Sequence, residues 1–156
     1  MKLDIDFALK KDIDDLVDIY GGSKTYQSLE LTLCGPDKRL WRYLIARDYD
    51  GKLLGSCSIN LRFANLGAIG LENLLVKEEF RRNGIGTGLV EAVEKFAKEA
   101  GAYRIWLWST EDRKPALALY EKRGFCLEKR REKTEDNPNT LLYGMNFPCP
   151  SSERAY

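Results

Sequence analysis

The run Arg81-Arg82-Asn83-Gly84-Ile85-Gly86-Thr87-Gly88 has the spacing in this chain best suited to chemistry, with a glycine at every second position just ahead of an amphipathic helical pattern. The start of a helix carries unpaired N–H groups and the positive end of the peptide dipole, which together suit phosphate oxygens. Gly84, Gly86 and Gly88 lack a Cβ, so such oxygens can approach the main chain, and Arg81 and Arg82 add charge at the rim. For the two arginines alone, a solvated surface pair is the plainer account. The run does not match the P-loop pattern of GxxxxGK followed by Ser or Thr. It also misses the dinucleotide-binding GxGxxG, because its glycines fall as GxGxG. Nucleotide hydrolysis and dinucleotide redox chemistry both lose support. On the glycines alone, a ligand-free helix entry stands level with phosphate binding.

The chain has no His, which excludes Ser-His-Asp and Cys-His catalysis within it. Protons must be moved by Glu, Asp, Tyr, Lys, Cys or water. Cys34, Cys57, Cys126 and Cys149 lie far apart with no C-x-x-C pair, so a zinc site lacks its usual ligands and reduced, structural thiols are expected. No metal is expected.

The elements that must position the glycine run follow from periodicity. Leu3, Ile5, Phe7 and Leu9 alternate as in a half-buried strand, and Ile13, Leu16, Val17 and Tyr20 recur at helical spacing up to Gly21-Gly22. Ser28 to Tyr43 is ambiguous, with a short helix or loop on each side of Gly35-Pro36. Tyr43 to Tyr49 and Lys52 to Leu61 flank Asp50-Gly51, which suits a tight antiparallel hairpin. Ala68 to Val76 is a strand. After the glycine run, Leu89, Ala92, Val93, Phe96, Ala97 and Ala100 share one helical face, with Glu91–Lys95 and Glu94–Lys98 expected as i,i+4 pairs away from it. Gly101 ends that helix, and Arg104 to Ser109 reads as a buried strand. Pro115 opens a further helix that Gly124 closes; Phe125 to Lys133 and Leu141 to Phe147 are strands around a polar segment.

The 156 residues fit a single domain, 1–156, able to bury roughly 68 to 70% of its unfolded surface. A net charge of +1 argues against nucleic acid as a partner. The longest apolar stretches fall far short of the roughly 18 residues of a membrane span, and Asp4, Asp6 and Asp12 break any signal-like run, so a cytoplasmic protein is expected.

Leu71-Glu72-Asn73-Leu74-Leu75-Val76, the RRNGIG run, the amphipathic helix, RIWLWST and PALALYEKRGF together resemble the GNAT family of N-acetyltransferases. The resemblance covers Ala68 to Phe125. Arg81-x-x-Gly84-x-Gly86 fits the family's Q/R-x-x-G-x-G/A pattern for the pyrophosphate of acetyl-CoA, and Tyr120-Glu121-Lys122-x-Gly124-Phe125 fits its later helix. The resemblance implies an α/β fold whose mixed, mostly antiparallel sheet carries helices on both faces. It implies that Leu74, Leu75 and Val76 bond the pantetheine arm through the main chain, and that Arg82, Asn83, Gly84, Ile85, Gly86 and Thr87, with Arg81, surround the pyrophosphate. Tyr120 would protonate the departing CoA thiolate. Arg113 stands where the family often has Asn, replacing one CoA contact with a charged one. Trp108 stands where the enzymes that acetylate ribosomal-protein N-termini have a catalytic Glu, which disfavours that subfamily.

A substrate amine of lysine-like pKa is about 3.4 units from neutrality at pH 7, so its reactive form costs about 4.6 kcal/mol. A base is useful, and Glu72 is the leading candidate, directly or through water; a structural carboxylate or a contact to substrate charge is the competing account. The expectation is direct transfer of acetyl from acetyl-CoA, as cosubstrate, to a primary amine of a small molecule or peptide. A noncatalytic acyl-CoA binding or sensing module is the alternative, and another acyl donor a third. Tyr103, Trp106 and Trp108 either shape an acceptor pocket or belong to the sheet core. The Ser23 to Pro36 and Glu132 to Thr140 segments are expected to frame the acceptor site. Oligomeric state stays open, a homodimer included.

Overall fold

The computed structural model describes residues 2–132 and 139–147. Alternating apolar residues form strand β1 (Asp4–Phe7), which ends before Leu9, itself 58% exposed, and a 3-10 turn leads into helix α1 (Ile13–Ile19). The ambiguous stretch becomes helix α2 (Tyr26–Cys34), a 3-10 turn at Pro36–Arg39 and strand β2 (Trp41–Arg47). Thr25 and Ser28 start α2 by each accepting the other's backbone N–H at 3.1 Å, a reciprocal cap whose short hydroxyls give little helical periodicity to read. Strand β3 (Leu53–Asn60) follows the expected turn. There Gly51 takes a φ of 82°, and the Asp48 carboxylate accepts the N–H groups of Asp50 and Lys52, each at 2.9 Å.

Strand β4 (Ala68–Val76), helix α3 (Ile85–Glu99), strand β5 (Arg104–Thr110), helix α4 (Lys114–Lys122) and strands β6 (Cys126–Arg131) and β7 (Thr140–Asn146) complete the order. The seven strands form one sheet, β1-β2-β3-β4-β5-β7-β6, antiparallel except where β4 runs parallel to β5. The expected mixed, mostly antiparallel sheet is therefore what the chain builds.

Helices cover both faces. Leu89, Val90, Val93 and Ala97 of α3 and Tyr120 of α4 pack on one face against Leu71, Ile105, Leu107 and Tyr143. Ile13, Leu16 and Leu29 of α1 and α2 pack on the other, against Tyr43, Ile45 and Leu53. Strand β3 lies under both layers, which is why its residues are buried throughout without a polar-apolar alternation. Full burial of side chains such as Leu89 and Val93 contributes roughly 1.5 to 3 kcal/mol apiece.

The flank of α3 departs from the sequence reading. Ala100 is exposed, while Glu94 is buried at 8% exposure and binds Arg123 from the end of α4, accepting from Nη2 at 2.8 Å and Nε at 3.1 Å. Glu91 also turns to Arg123, at 3.1 Å, and Lys95 approaches Glu99 at 3.9 Å, so the expected Glu91–Lys95 and Glu94–Lys98 pairs do not form. A guanidinium fork on a neighbouring helix offers two aligned donors, and it outcompetes a flexible lysine on the same helix. Part of the expected strand from Phe125, at Lys133, and the centre of the polar segment, 133–138, lie outside the described residues, as does Cys149.

Candidate active site

Strands β4 and β5 pair only from Ala68 to Gly70 against Arg104 to Trp106, although β4 runs on to Val76 and β5 to Thr110. Beyond Gly70 the two part. An irregularity in β4 accompanies the separation: the β3–β4 register shifts between Ser56 and Ser58, and Asn73 sits at a φ of 55°. Asn tolerates that left-handed backbone better than most residues. Its side chain donates to Ser58 Oγ at 2.8 Å, and its carbonyl accepts from the Tyr20 hydroxyl at 2.7 Å, so the bulge is held from β3 and from α1.

The separation leaves β4 with an open edge. Leu74 and Val76 turn their carbonyls to it, and two arginines take them: Arg113 Nη2 donates to Leu74 at 2.8 Å and Arg81 Nε to Val76 at 3.1 Å. Leu75 turns instead toward β3, where it pairs with Ser56. Of the three residues expected to bond a ligand through the main chain, Leu74 and Val76 thus present groups to the gap.

On the α1–α2 face, Tyr43, Ser58 and Glu72 lie side by side in register across β2, β3 and β4. Glu72 Oε1 accepts from Asn60 Nδ2 at 2.9 Å, and the Arg62 N–H, donating to Asn60 Oδ1 at 3.0 Å, orients that amide. Burial, and after it the Glu72 charge, pushes the Tyr43 phenol up to about 12. Trp106 and Trp108 belong to the same face. Gly70 makes room for Trp106, since a Cβ there would come within 2.6 Å of the indole, and Arg131 stacks 4.7 Å over Trp108. Tyr103 lies at the paired end, over Gly67, away from the gap. Asn60, Tyr43 and Ser58 had no sequence signal as site residues; their relation to Glu72 exists only through strand register.

On the α3–α4 face stands Tyr120, 3% exposed and fixed between Phe125 and Tyr143 at centroid distances of 5.8 and 6.4 Å. No hydrogen bond acts on its hydroxyl among the described residues; burial pushes the phenol up to about 12 while the Arg113 charge pulls it down. Glu72 and Tyr120 therefore lie on opposite faces of the sheet, a carboxylate on one side and a protonated phenol on the other. Such a pair can accept a proton from one end of a reacting group and deliver one to the other.

At the end of β4 the glycine run enters α3. Gly84 has a φ of 77° with open space around it, and Arg82 also takes a positive φ, 67°. The side chain of Asn83 donates to the Phe80 carbonyl at 3.0 Å, shaping the loop, while Ile85 is buried in the core and offers only its main chain. Gly86 and Thr87 lie in the first helical turn, whose N–H groups have no intrahelical partner. Gly88 is a correction: a Cβ there would meet Ile5 Cδ1 at 3.0 Å, so its bareness serves packing against β1 rather than approach of a ligand. A groove of about 330 Å³ lies beside this loop, lined by Asp18, Ile19, Val76 and Arg81 among others. A larger hollow of about 550 Å³, around Cys34 to Arg39, contains none of the residues flanking the gap.

Residues 13–125 match the family model described as the acetyltransferase (GNAT) family. Streptothricin acetyltransferase of Streptomyces lavendulae is 30% identical over 113 residues, 70% of this chain and 59% of that protein. An uncharacterized N-acetyltransferase of Methanocaldococcus jannaschii is 26% identical over 135 residues, 74% of this chain and 57% of the other. The chain thus spans under two thirds of the length of these relatives. The ribosomal-protein-S18-alanine N-acetyltransferase of Escherichia coli superposes with a TM-score of 0.79 at 18% identity, covering 99% of both chains. A mutant spermidine N-acetyltransferase of Vibrio cholerae gives 0.79 at 14% identity, over 92% of this chain and 94% of that one. At such identities the likeness is one of fold.

Proposed function

The chain belongs to the GNAT family of acetyltransferases, and from that premise we propose that it moves an acetyl group from acetyl-CoA to a primary amine by direct transfer. One observation supports the reading above the others: β4 and β5 part after Gly70, next to Glu72 on one face of the sheet, while on the other face the charge of Arg113, which bonds Leu74 on β4, reaches the Tyr120 phenol. The residues present fit the cosubstrate. The pantetheine amides find carbonyls at Leu74 and Val76, each of which keeps a second lone pair beside the one that Arg113 or Arg81 uses. The pyrophosphate finds the main chain of Arg82 to Thr87 at the entry to α3, with Arg81 beside it. The acetyl carbon then lies in the gap. Glu72 takes the proton of the attacking amine, the N–C bond forms, the C–S bond breaks, and the sulfur leaves as a thiolate that Tyr120 can protonate. No metal enters this scheme, and none of the cysteines is required as a nucleophile.

The acceptor is a small-molecule or peptide amine that reaches Glu72 from the face shared with Trp106 and Trp108. Calorimetric titration with acetyl-CoA, with NAD and ATP as controls, followed by thiol-release assays over a panel of amines, tests the reading. Selective binding with amine-dependent thiol release is expected. Binding without release by any amine would favour an acyl-CoA sensing module, and absence of binding by folded protein would overturn the reading.

A further inference from the structure

Arg113 caps the start of α4, yet its guanidinium crosses the gap and bonds a main-chain carbonyl on β4. That bond uses one of the five N–H donors of a guanidinium, and the others stay available to an anion between the strands. We propose that Arg113 is the electrostatic partner of the leaving thiolate: anchored on the Leu74 carbonyl, its guanidinium faces the sulfur as the C–S bond of the acyl donor breaks. The proposal rests on the acyl-transfer reading above.

The chemistry of Tyr120 creates the need. The C–S electron pair goes to sulfur, giving an alkyl thiolate, the anion of a thiol that, like the cysteine thiol near 8.5, is more acidic than a phenol raised to about 12. A phenol pushed up to about 12 hydrogen-bonds such an anion readily but gives up its proton uphill, so negative charge stays on the sulfur as the thioester breaks and before Tyr120 delivers the proton. A fixed cation beside the sulfur stabilises that charge without a proton transfer. The surroundings leave this to Arg113. Cys57, below on β3, is a neutral thiol raised to about 12 by burial. Glu121 accepts from the Tyr143 hydroxyl of β7 at 2.9 Å. Glu91 and Glu94 of α3 are engaged by Arg123, and Glu72 lies on the opposite face of the sheet. Among the described residues, Arg113 is the cation whose charge bears on the Tyr120 phenol.

The test reads the thiol of bound CoA directly. Wild type, Arg113→Met and Arg113→Lys are each titrated with CoA and with desulfo-CoA, in which hydrogen replaces the thiol, and the ultraviolet absorbance of the bound thiolate is followed against pH. In wild type the bound thiol is expected to ionise at least about one pH unit below free CoA. In Arg113→Met that value returns upward by about one unit, a tenfold change in the thiol-to-thiolate ratio, while desulfo-CoA affinity changes by no more than about twofold. Turnover falls by about 10²-fold, and Arg113→Lys recovers most of both effects because it keeps the charge. An unchanged thiol titration in Arg113→Met overturns the proposal. So does an equal loss of affinity for CoA and desulfo-CoA, which would make Arg113 a contact to the pantetheine arm alone. Failure of folded wild type to bind CoA at all would remove the acyl-transfer reading and the proposal with it.

Discussion

Glu72 is a carboxylate that among the described residues accepts a side-chain hydrogen bond from Asn60 at one oxygen, with the other oxygen unbonded there and able to meet an amine. Replacing it with Gln keeps the shape and the partner amide while removing the basic lone pairs. Turnover at neutral pH should fall by about 10² to 10⁴-fold with acetyl-CoA affinity unchanged, as thiol-release kinetics beside calorimetry would read. If the rate returns when the assay pH is raised enough to deprotonate the amine without help, the lost function is proton acceptance; a deficit equal at every pH would make Glu72 a substrate contact instead. Tyr120→Phe keeps the packing against Phe125 and Tyr143 and removes only the hydroxyl. Turnover should drop by up to roughly 10² to 10⁴-fold with binding intact, and a wild-type rate would take Tyr120 out of the mechanism.

At the scale of elements, the entry to α3 separates two uses of glycine. Gly84 lies in left-handed backbone with nothing near its missing Cβ, so Gly84→Ala costs roughly 1 to 2 kcal/mol through backbone strain alone and should also weaken acetyl-CoA binding. Gly88 has ordinary helical backbone and faces Ile5 of β1. Gly88→Ala gains about 0.5 to 1 kcal/mol of helix propensity against mild crowding, leaving stability within about 1 kcal/mol of wild type and CoA affinity untouched. Urea denaturation and calorimetry on the two variants would read this; weakened CoA binding in Gly88→Ala would return that residue to the ligand loop. The same scale explains the position of Tyr120. Arg123 clamps the end of α4 to Glu91 and Glu94 of α3, and the Tyr143 hydroxyl ties Glu121 to β7, so the helix that carries the phenol is fixed from two elements.

Across the whole molecule, burial raises Tyr43, Tyr120 and Cys57 to about 12, and raises Tyr20 as well. These folded-state values lie above the unfolded ones near 9 to 10, so the fold binds these protons more tightly than the unfolded chain does. The resulting stability is fully present below pH 9 and is lost as pH rises toward 12, on the order of a few kcal/mol. Denaturant midpoints measured from pH 8 to 12 should fall steeply above pH 10, with phenolate absorbance appearing together with unfolding; phenolates titrating near pH 10 in folded protein would contradict it. Much of this architecture was legible in the residues. Alternation marked β1, Asp50-Gly51 marked the hairpin, and the α3 and α4 patterns, with the glycine run between strand and helix, placed a loop suited to phosphate; these signals are local, carried by neighbours in sequence. What the tertiary structure alone decided depends on register and on distance between strands. It parts β4 from β5 after Gly70, sets Asn60 and Tyr43 beside Glu72, turns Glu94 from Lys98 to Arg123, gives Gly88 to packing against β1, and carries the Arg113 guanidinium to the Leu74 carbonyl. Each of these joins residues far apart in the chain, and no short-range pattern of side-chain types encodes a contact that only the folded backbone brings within reach.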